Sequence, residues 1–180
     1  MGRDKALLSF RGRSFLETII AMLREAGIER IAVVLGHHAG EIRGAADLSG
    51  VEVVINSDYR QGQTSSLQAG LRGLATTPPR AIVLCLVDHP AVSAEVLRSL
   101  LESFRQSAAP VTIPTLAGRR GHPVVIGREL LPELLALGSE EGANTVIRRY
   151  RQVTQFVPVH DPGILLDIDD PEAYLRLPER

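Results

Sequence analysis

Three aliphatic runs constrain this chain more than any other feature: Ile31 to Gly36, Val51 to Ile55 and, most apolar of all, Ala81 to Val87. The first and last place no polar side chain at alternate positions, so neither face of such a strand is prepared for water. That pattern belongs to strands covered on both sides, as in a parallel sheet between helices. Helical periodicity fills the intervals. Ser14 to Ala26 sets Phe15, Ile19, Met22, Leu23 and Ala26 on one face, Ser14 and Glu17 have the spacing of a capping box, and Gly27 follows as a stop. Further helices are expected over 39–45, over 65–74 with Leu67, Leu71 and Leu74 inward, and over 93–104 behind Ser93 as N-cap. Strands fit 111–115, 123–126, 154–159 and 164–168; helices fit 128–137, 142–150 and a last segment opening at Pro171. Strands alternating with helices predict an α/β, Rossmann-like three-layer sandwich with a mostly parallel sheet. No linker or repeat interrupts the pattern, so residues 1–180 are expected to form a single domain.

Composition narrows the function. With 20 Lys and Arg against 21 Asp and Glu, the net charge of −1 lacks the basic excess of a nucleic-acid or membrane-surface binder. Aromatic residues are 4% and Trp is absent, which leaves little with which to stack bases. No apolar stretch approaches the roughly 20 residues of a membrane span, and the first residues carry no secretory h-region. Cys85 is the sole cysteine and sits inside an apolar run, so a reducing, cytoplasmic setting is expected.

In open α/β sheets ligands bind beyond the carboxyl ends of the strands, which directs attention to four segments. Asp88 leaves a seven-residue apolar strand, and a half-desolvated carboxylate there needs a partner: a Mg²⁺ holding phosphate oxygens, or the turn before Pro90. Asp167 and Asp169 are two apart in an extended stretch and share a face, so either supplies a second metal ligand, or the acidic group merely starts the helix at Pro171. Gly62 to Leu67 sets hydroxyl residues at a helix start, where free N–H groups hold phosphate or sugar oxygens or a serine simply caps the helix; the Walker A ending is absent. Gly118 to Pro123 reads as an anion-binding glycine turn or as a plain hairpin.

In series these segments resemble the MobA-like nucleotidyltransferases that mature the molybdenum cofactor, the cytidylyltransferases in particular. The resemblance is carried by Met1-Gly2 with Lys5, by Asn56 with Gly62 and Ser65-Ser66-Leu67, and by Asp88-His89-Pro90. It continues through Gly118-Arg119-Arg120-Gly121-His122-Pro123, Glu141-Gly142-Ala143 and Leu166-Asp167-Ile168-Asp169 before Pro171. It implies the nucleotide-diphospho-sugar transferase type of fold and transfer of CMP from CTP to the molybdopterin cofactor, with Mg²⁺ as cofactor and pyrophosphate released. By the same resemblance Asp88 and Asp169, or Asp167, hold the metal, and Lys5 neutralises triphosphate charge. Gly2, Asn56, Gly62, Ser65 and Ser66 line the nucleotide pocket, and Gly121, His122 and Pro123 face the acceptor. Two other readings stand beside it: a guanylyl- or other nucleotidyltransferase of the same fold, and a non-catalytic module that hands the cofactor to a client molybdoenzyme.

Two departures are visible. His89 stands where the family usually has Gln. The family also opens with a strand and a glycine-rich phosphate loop that this chain lacks. The expectation is therefore an N-terminally truncated nucleotidyltransferase domain, its natural start about 10–20 residues upstream, the size of a strand and a turn; a decayed paralogue is the alternative. The absent strand is expected mid-sheet beside the strand ending at Asp88, leaving apolar surface and ladder groups uncovered.

Overall fold

The computed structural model describes residues 4–74 and 77–177. A turn of 3-10 helix, Lys5–Leu7, leads into a small hairpin, β1 (Ser9–Phe10) with β2 (Arg13–Ser14). Then follow α1 (Phe15–Glu25), β3 (Ala32–Leu35), α2 (Ala39–Ala45), β4 (Glu52–Ile55), α3 (Gln63–Gly73), β5 (Ala81–Leu84) and α4 (Ala94–Gln106). The remainder is β6 (Val111–Leu116), β7 (Arg119–Arg120), β8 (Val124–Gly127), α5 (Leu131–Leu135), α6 (Ala143–Arg149), β9 (Gln155–Pro158) and α7 (Pro171–Leu175). Met1 and Gly2, with the nucleotide-binding role expected of Gly2, lie outside the described residues.

Local signals explain most boundaries. The capping box at α1 is complete, with Ser14 Oγ accepting from Glu17 N and Glu17 accepting from Ser14 N, and Gly27 ends the segment at a φ of 85°. Ser93 caps α4 and Asp170 caps α7. The strand expected over 164–168 does not form. Asp161 caps a 3-10 turn, Pro162–Leu165, and the chain beyond it runs to Asp169 with no ladder partner.

The strands form two main sheets. In one, β3 and β4 pair in parallel, Ala32 opposite Glu52 through Leu35 opposite Ile55. The other has the order β5-β8-β6-β7, with β9 parallel to β6. Only β8 and the short β7 are reversed, so β5, β6 and β9 share a direction. Helices cover both faces, which completes the three-layer α/β sandwich. On one face Ile19, Ile20 and Leu23 of α1 pack with Leu97 of α4. On the other, Leu71 of α3 joins Leu134 and Val146 of α5 and α6.

Among the described residues no strand joins β3 to β5. Between them runs an apolar cleft of about 790 Å³, lined by Ala32 and Val34, Ile82 and Leu84, Ile20 and Leu67. The sequence leads to this vacancy: β5 is aliphatic on both faces, yet all four of its residues are only half-buried, because one edge faces the cleft. The two sheets are held together by helices instead. Helix α3 lies tight on β3, where a Cβ at Gly70 would stand 2.9 Å from Val34 Cγ2, and Gln68 Nε2 donates to the carbonyls of Leu134, Leu135 and Leu137 around α5. No helix of the described residues is long and apolar enough to cross a membrane.

Candidate active site

The carboxyl end of β5 is where the chemistry gathers. The aliphatic run continues past the ladder to Val87 and delivers Asp88-His89-Pro90 at the rim. The late segment is tied to the same point by one backbone bond, Ile168 N donating to Asp88 O at 3.0 Å. That bond brings the alternating aspartates of residues 167–169 to the rim, where, two apart in an extended stretch, they share a face. Asp167, exposed at the rim, joins Asp88 and His89 in a cluster where one ligand atom of each lies within 4.8 Å of the others. Asp169, two-thirds exposed, pairs with Lys5 at 2.5 Å. The structure thus brings Asp88 and Asp167 together and sets Asp169 one step outward.

Charge follows that division. Partial burial holds the Asp167 carboxyl above its ordinary range, and the negative charges of Asp88 and Asp169 push the same way. Asp169 is held below its ordinary range, chiefly by the Lys5 ammonium. Asp88 Oδ1 is buried and has no hydrogen-bond partner, an arrangement that costs free energy unless a cation supplies the missing interaction. Two hard carboxylate donors and a borderline nitrogen converging on one point fit a divalent ion.

The turn from Gly118 to Pro123 borders this cluster. A Cβ at Gly121 would stand 2.3 Å from Ile164 O, so only glycine permits the approach that lets His122 N donate to Ile164 O at 3.0 Å. The His122 ring then lies 4.8 Å from that of His89. Burial pushes His122 down to about 4, the neighbouring His89 adding to the fall, so its imidazole is neutral at physiological pH. The peptide bond between His122 and Pro123 is cis.

The expected nucleotide residues form a second group, at the start of α3. Gly62 takes a φ of 94° that favours glycine and turns the chain into the helix. Asn56, buried at 5% exposure, donates from Nδ2 to Ser65 Oγ at 2.9 Å and Ser66 Oγ at 3.0 Å. Its Oδ1 accepts from Asp58 N at 3.0 Å. The Asn56 amide is therefore committed to fixing the loop, and Ser66 is the member of the group that lines the cleft, with Gly121 and His122. Sequence reasoning noted His89 as a departure from the family's Gln without giving it a site role, and gave Thr64 none. The Thr64 hydroxyl donates to Glu141 O, tying the α3 start to the Glu141-Gly142-Ala143 segment; its place in the hydroxyl run was the available signal. Cys85 is a core residue, its thiol pushed up to about 12 by burial.

Comparison with known proteins places this geometry. The profile of the MobA-like NTP transferase domain matches residues 1–153. Nicotine blue oxidoreductase of Paenarthrobacter nicotinovorans is 31% identical over 184 aligned positions, covering 98% of this chain and 89% of that protein. Molybdenum cofactor cytidylyltransferase of Escherichia coli is 24% identical, covering 100% of this chain and 90% of that one. Among solved structures, the manganese complex of Rv0371C from Mycobacterium tuberculosis superposes with a TM-score of 0.82 at 30% identity, over 98% of this chain and 92% of that one.

Proposed function

We propose, on the premise that the chain belongs to the MobA-like NTP transferase family, that it transfers a nucleotidyl group from a nucleoside triphosphate to a phosphate acceptor. The specific reading is CMP from CTP onto the molybdopterin cofactor. The observation that carries it is the convergence of Asp88 and Asp167 at the carboxyl rim, with Asp88 Oδ1 buried and unpartnered. A relative matched over 90% of its own length is a molybdenum cofactor cytidylyltransferase, and a structural neighbour is a manganese complex.

In this reaction an acceptor phosphate oxygen attacks the α-phosphorus. The new P–O bond forms as the bond to the β-phosphate bridging oxygen breaks, and that oxygen leaves with pyrophosphate. Little covalent work falls to the protein, so positioning and charge neutralisation carry the catalysis. Asp88 and Asp167 would hold a divalent ion, Mg²⁺ in the expected reaction, which when bound neutralises phosphate charge. Lys5 brings a cation to the same rim and is restrained there by Asp169. Gly62, Ser65 and Ser66 present the α3 start to the nucleotide, with Asn56 fixing their geometry. Gly121, His122 and Pro123 shape the acceptor side, where a neutral His122 donates or accepts without adding charge.

The experiment is transfer from labelled CTP to molybdopterin with a divalent cation, run beside GTP and beside nicotine blue with a nicotinamide hydride donor. Label transfer that falls at least about 100-fold in Asp88→Asn, with circular dichroism unchanged, supports the proposal. Neither binding nor turnover of any nucleotide sinks it. Transfer from GTP alone replaces the base, dye reduction alone replaces the reaction, and cofactor handed intact to a molybdoenzyme by Asp88→Asn marks a carrier.

A further inference from the structure

We infer that His89 is a third ligand of the cation held by Asp88 and Asp167, and that it shifts this site toward Mn²⁺ and later transition-metal ions relative to Mg²⁺. The inference rests on the cation-dependent reading above and deepens it.

The position of His89 is hard to explain otherwise. Its side chain is 10% exposed, and its Nε2 stands 3.9 Å from the buried, unpartnered Asp88 Oδ1, beyond hydrogen-bonding reach. A histidine buried for structural reasons normally satisfies its ring nitrogens, because an unpaired polar atom taken from water is a net loss. The ring beside it, His122, offers no remedy, since its own Nδ1 is also buried and unpartnered. A ring nitrogen of His89 does lie within 4.8 Å of carboxylate oxygens on both Asp88 and Asp167. Donors each roughly 2.1 Å from a shared ion span up to about 4.2 Å across it, so a small inward movement closes the set.

The chemistry of that third donor sets the preference. Mg²⁺ favours oxygen and gives up its waters reluctantly. Imidazole nitrogen is a softer donor whose affinity rises along the first transition row from Mn²⁺ to Cu²⁺ and stays higher for Zn²⁺ than for Mn²⁺. Two carboxylates alone favour no such ion strongly; two carboxylates with an imidazole do.

The test uses the full chain with Mn²⁺ alone as the probe. Pulsed paramagnetic resonance of bound Mn²⁺ shows ¹⁴N coupling, and the coupling disappears in His89→Gln. In titrations His89→Gln weakens Mn²⁺ binding by about tenfold or more, while Mg²⁺ binding, read by competition, changes much less. His160→Gln, at an exposed position, leaves both unchanged. Bound Mn²⁺ without nitrogen coupling in the unaltered protein overturns the inference whether or not His89→Gln folds. So does coupling that survives His89→Gln and vanishes in His122→Gln. In each of those cases a loss of Mn²⁺ binding in Asp88→Asn leaves the cation site standing. Mn²⁺ binding indifferent to Asp88→Asn removes both the ligand and the site.

Discussion

The two sheets solve the same problem differently. In the β5–β9 sheet, Val111, Val125 and Ile126 are 0% exposed, each strand beside a ladder partner and beneath helices on both faces. In the β3–β4 sheet only alternate residues of β3 are buried, and Ile55 at the end of β4 is 52% exposed. Yet β3 (Ala-Val-Val-Leu) is no less aliphatic than β8 (Val-Val-Ile-Gly). What differs is neighbours: β8 has a strand on each side, whereas β3 has β4 on one side and the cleft on the other. Hydrogen-bonded pairing closes the first region on both flanks, whereas in the second it reaches only one flank of β3 and helix packing covers the rest. A strand rich in Val and Ile is thus fully sheltered only where backbone partners exist on both flanks.

That contrast is open to attack. The largest effect is expected from supplying the cleft with a strand: an N-terminal extension of four or five β-branched residues and a glycine turn raises unfolding free energy by about 5 kcal/mol, read as a higher urea midpoint. The same extension with a central proline, which cannot complete a ladder, gives no gain. Equal midpoints for the two would show that β3 and β5 need no neighbour. Next, Val125→Ala in β8 costs about 2.5 kcal/mol and Val34→Ala in β3 only about 1 kcal/mol, a difference visible in thermal melts; equal costs would erase the distinction. Amide exchange sharpens it, with β3 and β4 protons exchanging by local opening and β6 and β8 protons only on global unfolding. Gly121→Ala comes third, at about 2 kcal/mol, because the added methyl meets Ile164 O.

The smallest effect concerns a part of the weaker region that is well built. Glu17 accepts from Ser14 N at 2.8 Å and from Asp47 N at 2.9 Å, and these bonds, that to Asp47 first, hold its carboxyl below the ordinary 4.5. A lowered folded-state value means the contribution is complete above the unfolded value and lost as pH falls through the folded one. Glu17→Gln therefore costs about 1 kcal/mol near neutrality. Its melting temperature converges with that of the unaltered protein once the pH drops well below 4.5.

Local chemistry was legible in the sequence and pairing was not. The capping box at Ser14 and Glu17 and the span of α2 could be read directly, because their causes lie within a few residues. The run from Ala81 to Val87 announced a buried strand, but its ladder stops at Leu84, where its partner β8 begins at Val124. The segment over 164–168 has the composition of a strand and no strand beside it. At the site, Asp88 could be picked out by its place after a buried strand, whereas the late aspartates were picked out as the end of a strand that does not form. The choice between Asp167 and Asp169 depended on Lys5, 164 positions away. The surroundings of His89 depend on His122 and Asp167, both remote in the chain.

The amide of Ile168 that meets Asp88 O makes the rim a joint between two distant stretches of chain. Ile168 is also packed among Phe10, Phe15 and Leu177, so the spacing of two carboxylates far apart in the chain is set by the hydrophobic core as well as by that one bond.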